Sequence, residues 1–147
     1  MRHTDTQPYE CRVLVHGKHL IEVDTLDCLE LRANHGMFEP EETALCQQLI
    51  NCDDRVLDIG ANIGLYSLDA VLNGPKNTVA IAIEPQPEMI DRIRFNMAAI
   101  ANGGEDRIEL IRIIPCAVGS DNGFARLETP RLKHLACIVE EGGIEVP

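Results

Sequence analysis

The strongest constraint on the fold lies in residues 55–114, where the apolar residues change period in regular alternation. Arg55-Val56-Leu57-Asp58-Ile59 is a short apolar run ending at Gly60, which reads as a strand. Leu65, Leu68, Val71 and Leu72 then recur at helical spacing until Asn73-Gly74-Pro75 stops them. Thr78 to Ile83 is a second apolar run. A second helix begins near Pro87, with Ile90, Ile93, Met97 and Ile100 as its apolar stripe, and ends at Gly103-Gly104. Ile108 to Ile114 reads as a third strand. The order is β-α-β-α-β, so the fold class is α/β. Near-continuous apolar strands joined through helices predict a parallel sheet covered on both faces. Right-handed crossovers give the strand order 3-2-1. That order leaves Val56–Ile59 at a sheet edge with unpaired backbone, so either the chain is part of a longer protein or a second copy or another chain covers that edge.

The flanking segments carry weaker patterns. Residues 1–35 form a β-rich lead-in: Val13 and Val15 alternate with polar neighbours, His16-Gly17-Lys18 reads as a turn, and Leu20, Ile21 and Val23 follow, which predicts a hairpin. A helix begins near Glu39, with Pro40 at its first position and Glu39, Glu41 and Glu42 at its positive end. Leu45, Leu49 and Ile50 give that helix an apolar face, and Asn51-Cys52-Asp53-Asp54 breaks it. Beyond Pro115, Phe124 to Glu128 and Leu135 to Val139 read as antiparallel strands.

Composition narrows the class of function. The 147 residues carry a formal net charge of −11 and no local basic cluster, which argues against binding nucleic acid through its phosphates. The aromatics Tyr9, Phe38, Tyr66, Phe95 and Phe124 are too few for a base-stacking platform. No apolar run approaches the roughly 20 residues of a membrane span. The start of the chain lacks the apolar core of a signal peptide, so a cytoplasmic protein is expected. The six cysteines show no C-x-x-C pair and read as small buried thiols. The histidines form no ligand set, so no metal is expected.

In an open parallel sheet, ligands bind beyond the carboxyl ends of the strands. Three segments meet there: Asp58-Ile59-Gly60-Ala61-Asn62-Ile63-Gly64, Glu84-Pro85, and Cys116-Ala117-Val118-Gly119. Glycine in the first turn permits close approach and positive φ. Glu84 lies about 20 residues further on, where an acid can accept from both hydroxyls of a ribose. Together these point to an adenosine-type cofactor. A dinucleotide fingerprint starting at Gly60 needs glycine at 62 and 65, where this chain has Asn62 and Leu65. S-adenosylmethionine has no pyrophosphate and makes no such demand. Asp58 could serve its ammonium through water, and N–H groups near Gly60–Asn62 its carboxylate. The bland alternatives are Asp58 as a strand-end cap, Asn62 as a helix N-cap, Glu84 as a solvated strand end, and Tyr66 and Ser67 as packing residues.

The runs Glu39-Pro40-Glu41, Val56 to Leu68 and Ile83-Glu84-Pro85-Gln86-Pro87 closely resemble the FkbM family of S-adenosylmethionine-dependent methyltransferases. Gly36 to Glu41 looks like that family's segment before the glycine turn, and Cys116 to Gly123 like its segment after strand 3. The resemblance implies a Rossmann-like class I methyltransferase fold and O-methylation of a sugar or another small metabolite, such as a polyketide-like hydroxyl. It implies that Asp58, Gly60, Ala61, Asn62 and Gly64 line the methionine end of the cofactor, that Glu84 holds the ribose, that Ala117 flanks the adenine, and that Glu39 touches the amino-acid end. The family's D-V-E-G-like motif on a fourth strand is absent, and the chain stops at Ile144-Glu145-Val146-Pro147, before that strand. The expected organisation is a lead-in (1–35), a partial cofactor-binding core (36–130) and an incomplete C-terminal segment (131–147). No residue stands out as the catalytic base; His35 precedes the Gly36–Glu41 segment and reads as a surface residue. Two other functions are carried: a non-catalytic adenosine-cofactor module completed by another chain or a dimer, and an NAD(P)-dependent oxidoreductase, against which Asn62 and Leu65 count.

Overall fold

A computed structural model describes residues 11–15, 19–23, 39–128, 136–140 and 142–147, with Ile21 the one side chain described in the first two segments. The turn His16–Lys18, His35, the segment Gly36–Phe38 and Leu135 lie outside the described residues. The elements are β1 (Cys11–Val15), β2 (His19–Val23), α1 (Pro40–Leu49), β3 (Arg55–Ile59), α2 (Leu65–Leu72), β4 (Val79–Ile83), α3 (Pro87–Asn102), a 3₁₀ turn (Asp106–Leu110), β5 (Ile111–Ile114), β6 (Ala125–Glu128), β7 (Cys137–Val139) and β8 (Ile144–Val146).

The protein is α/β. Strands β3, β4 and β5 form a parallel sheet in that spatial order, which puts β3 at an edge. Strands β1 and β2 pair as an antiparallel hairpin. A third sheet, β7-β6-β8, is antiparallel. Strand β8 was not anticipated: its three residues are too short for a readable alternation. The third core strand begins at Ile111 rather than Ile108. Ile108 and Leu110 belong instead to the 3₁₀ turn, whose first residues are gathered by the Glu105 carboxylate accepting from Arg107 N–H at 3.3 Å.

The expectation of a sheet covered on both faces is overturned. One face, bearing Ala80, Ala82, Ile111 and Ile113, packs against Leu68, Val71 and Leu72 of α2 and Met89, Ile93 and Ile100 of α3. Ile21 of β2 joins this core. On the opposite face, Leu57 is 56% exposed, Ile59 58% and Ile114 41%. The reason is topological. Both crossovers step the same way across the sheet, so one handedness sets both helices on the same side. Helix α1 also departs from expectation: none of its residues is buried, and Leu45 and Leu49 face solvent. It packs on α2 through polar contacts, with Gln47 Nε2 donating to both carboxylate oxygens of Asp69 at 3.1 and 3.0 Å. The cysteines are corrected likewise. Cys46 and Cys116 are half-buried and Cys52 and Cys137 exposed, so none of the described thiols fills the core.

Helix α2 ends where the sequence stops it, and the structure adds a partner for its last carbonyls. The Arg107 guanidinium donates to the C=O groups of Leu72, Gly74 and Pro75 at 3.2, 2.9 and 2.9 Å. A cation there meets the negative end of the helix and satisfies carbonyls that have no intrahelical donor. Among the described residues, no helix is long and apolar enough to cross a membrane.

The asymmetry of the sheet can be tested by substitution. Ile21→Ala is expected to cost about 2–4 kcal/mol, read as a fall in the urea midpoint. Leu57→Ser on the open face is expected to change stability by less than about 0.5 kcal/mol. A loss at Leu57 as large as that at Ile21 would show that the face is covered.

Candidate functional site

Strands β3 and β4 run parallel and in register from Arg55 beside Val79 to Ile59 beside Ile83, so their carboxyl ends lie together. The turn after β3 starts as a cap over β4: the N–H groups of Gly60 and Ala61 both donate to the Ile83 C=O, at 2.9 and 3.0 Å. Gly60, Asn62 and Gly64 have φ of 78°, 52° and 82°. Glycine adopts this left-handed region freely, and asparagine tolerates it better than most residues. A Cβ at Gly60 would meet nothing within 4 Å, so conformation alone favours glycine there, with open space beside it. A Cβ at Gly64 would lie 3.2 Å from Ile93 Cγ1, so close packing on α3 adds to the requirement.

Gly64, not Asn62, is the N-cap of α2, and it offers no side chain to the helix. The cap comes from the preceding strand instead. Asp58 Oδ2 accepts from Ser67 N–H at 3.1 Å and from Ser67 Oγ–H at 2.7 Å. Ser67 is the third residue of α2, so Asp58 satisfies one of the helix's unpaired donors and places negative charge at its positive end. The bland reading of Asp58 as a cap is thus physically present. It leaves the second carboxylate oxygen outside these two bonds. Burial pushes the Asp58 carboxyl above its ordinary value, and the two Ser67 bonds oppose that shift.

Glu84 follows β4 and is 3% exposed, so it is not a solvated strand end. Its Oε2 accepts from Asn62 N–H and its Oε1 from Gln86 N–H, both at 2.8 Å. Its own N–H donates to Ile114 C=O at 3.2 Å. The residue therefore links all three parallel strands at their ends. Burial raises its carboxyl above the ordinary range; the hydrogen bonds from Gln86 and Asn62 pull the other way, and the neighbouring Asp58 charge adds to the rise. The Asn62 side-chain oxygen Oδ1 is buried without a hydrogen-bond partner. An unpaired buried acceptor is costly, and a ligand bearing an N–H or ammonium donor would satisfy it.

Tyr66 and Ser67, read from sequence as packing residues, both make polar contacts with carboxylates. The Tyr66 hydroxyl donates to Glu39 Oε2. Glu39 is the N-cap of α1, in a left-handed conformation at φ 37°. Burial, then the Glu39 carboxylate, push the Tyr66 phenol well above its ordinary value. The structure thus brings Asp58, Gly60, Ala61, Asn62, Gly64 and Glu84 to one turn and ties Glu39 to the helix that follows it. Ala117 lies three residues beyond β5, half-buried, and its N–H donates to the Pro147 C=O at 2.7 Å. Sequence reasoning missed Ser67 and Gln86 as partners of the two acids. Ser67 had a usable signal, a hydroxyl residue in the first turn of the helix after a strand-end aspartate. Gln86 meets Glu84 through its main-chain N–H and also through its side chain, and no local pattern pairs a residue after the strand-end proline with the acid.

No family model matches the chain, and no curated protein matches it. Among solved structures it is similar to a protein of Pyrococcus horikoshii described as a "putative transferase", with 23% identity and a TM-score of 0.47. The match covers 68% of this chain and 34% of that one, so the chain spans about a third of that protein's length.

The raised acid values carry a sign. Folding favours the protonated forms of Asp58 and Glu84, so the contribution of each to stability is largest at low pH. That contribution falls as pH climbs from the ordinary carboxylate range, about 4, through the higher folded value. Melting curves should therefore show wild type losing stability relative to Glu84→Gln as pH rises from about 4 towards neutrality. A difference that stays constant across that range would mean that Glu84 titrates as an ordinary carboxyl.

Proposed function

We propose that this chain holds S-adenosylmethionine at the carboxyl ends of β3 and β4, as the cofactor-binding part of a Rossmann-like methyltransferase similar to the FkbM family. The observation that carries the reading is the pairing of buried Glu84 with the Gly60–Gly64 turn, whose middle residue is Asn62 with its side-chain oxygen unpaired. The donor set fits the cofactor's chemistry. A carboxylate has up to four acceptor sites, so Glu84 can take a ribose hydroxyl in addition to the N–H groups of Asn62 and Gln86 and the Gln86 side chain. Asp58 and the Asn62 oxygen supply acceptors for an ammonium, and the open side of Gly60 supplies room. Glu39 and Ala117 would border the amino-acid arm and the adenine. When bound, the sulfonium supplies a methyl group for in-line displacement by an acceptor oxygen. The chain's own contribution is to orient it, which lowers a barrier by several kcal/mol. The acceptor would be a hydroxyl of a sugar or another small metabolite.

A second reading has a specific observation in its favour. The open face at Leu57, Ile59 and Ile114 fits a cofactor module completed by another polypeptide. A nicotinamide dinucleotide fits less well, because Asn62 stands where close approach of a pyrophosphate asks for glycine.

Calorimetry with S-adenosylmethionine, S-adenosylhomocysteine and NADH tests the proposal. Saturable binding of the two sulfur ligands, none of NADH, and a loss of affinity of at least about tenfold in Glu84→Ala are expected. A folded chain that binds neither sulfur ligand would falsify the cofactor assignment. Binding of both without methyl transfer to any hydroxyl acceptor would favour the module completed by another chain.

A further inference from the structure

Carboxylates from three separate elements grip the segment between β3 and the body of α2. Asp58 and Glu84 hold main-chain N–H groups of Ser67 and Asn62, whereas Glu39 is reached by a side chain, the Tyr66 hydroxyl. That contact joins two unusual features. Glu39 stands at φ 37° and ψ 58°, although it is neither glycine nor asparagine and although Pro40 follows it. A residue before proline is driven toward extended backbone, so both its type and its neighbour oppose this conformation. Backbone held against such preferences is imposed by its surroundings and clusters at functional sites. The second feature is Tyr66 itself. It is the second residue of α2, directly after the Gly60–Gly64 turn, and helical side chains lean toward the start of their helix. Its hydroxyl is thus carried to the turn's end of α2, where it meets Glu39. The bond uses Oε2, and a carboxylate retains acceptor capacity beyond one such bond.

Resting on the cofactor reading above, we infer that Tyr66 is a positioning residue: its hydroxyl fixes the Glu39 carboxylate beside the Gly60–Gly64 turn, where Glu39 receives the ammonium of the cofactor's amino-acid arm. Asp58 then caps α2 through Oδ2 and offers its other oxygen to the same ammonium, and Glu39 adds a second carboxylate there. A side-chain hydroxyl suits this task better than a second cation, because it orients the carboxylate without neutralising it.

The experiment is calorimetry on the full chain with two ligands, S-adenosylhomocysteine and 5′-methylthioadenosine, which keeps the adenosine and thioether but lacks the amino-acid arm. Tyr66→Phe is expected to weaken S-adenosylhomocysteine about tenfold and to leave 5′-methylthioadenosine within about twofold. Glu39→Gln should show the same selectivity. The double variant should be no weaker than about tenfold, because the two residues act as one unit. Retained 5′-methylthioadenosine binding confirms that each variant is folded. Equal losses for both ligands in Tyr66→Phe would mark it as a structural residue only and overturn the inference, as would no loss for either or a fully additive double variant. If the unsubstituted chain binds neither ligand, the cofactor reading itself fails and this inference falls with it.

Discussion

A carboxylate taken out of water, with a main-chain donor on each oxygen, organises the end of the parallel sheet. Glu84 receives the N–H groups of Asn62 and Gln86, one from the turn after β3 and one from the start of α3. Burial of a charge is costly, and directed hydrogen bonds are what make it tolerable. The geometry of both turns follows from that bargain. Asn62 must point its N–H inward, which requires the left-handed bend between Gly60 and Gly64. Gln86 must turn its N–H back, which sets where α3 begins. Asp58 repeats the logic at the neighbouring strand, holding Ser67 and so the first turn of α2.

Much of this arrangement was legible in the residues, for physical reasons that can be named. The strands at 55–59 and 79–83 and the helices after them were readable because their burial follows a strict period: Leu68, Val71 and Leu72 on one helix, Ile90, Ile93 and Ile100 on the other. Glu84 and the glycine turn were readable because a strand-end acid and left-handed positions require particular residue types. The covering of the sheet was not. An apolar strand reports that both of its sides avoid water, but Leu57 and Ile59 do not say which element will cover them. Helix α1 misled in the same way. Its Leu45 and Leu49 mark an apolar face, yet it binds α2 through Gln47 and Asp69. Ile108 was absorbed into a strand because apolar content alone cannot separate a 3₁₀ turn from an extended run.

The site was legible in its acids and glycines and opaque in the contacts between distant segments. Tyr66 to Glu39 and Gln47 to Asp69 join residues that no local pattern relates. Such pairs fix how α1, with Glu39 at its N-cap, sits against α2. A reading limited to the glycine turn therefore misses the contact through which Glu39 reaches α2.

The uncovered face of the sheet has a consequence in the colloidal behaviour of the protein. Leu57, Ile59 and Ile114 form an apolar plane on a molecule whose net charge is −11. In dilute buffer, long-range repulsion between like-charged molecules keeps such planes apart, since its reach at 0.01 M ionic strength is about 30 Å. At physiological salt that reach falls to about 8 Å, and the attraction between water-avoiding surfaces is undiminished. Added salt, which weakens contacts built on ion pairs, should therefore draw these molecules together. The ionic strength of the surroundings, as much as any binding partner, would govern how long this face stays open to water.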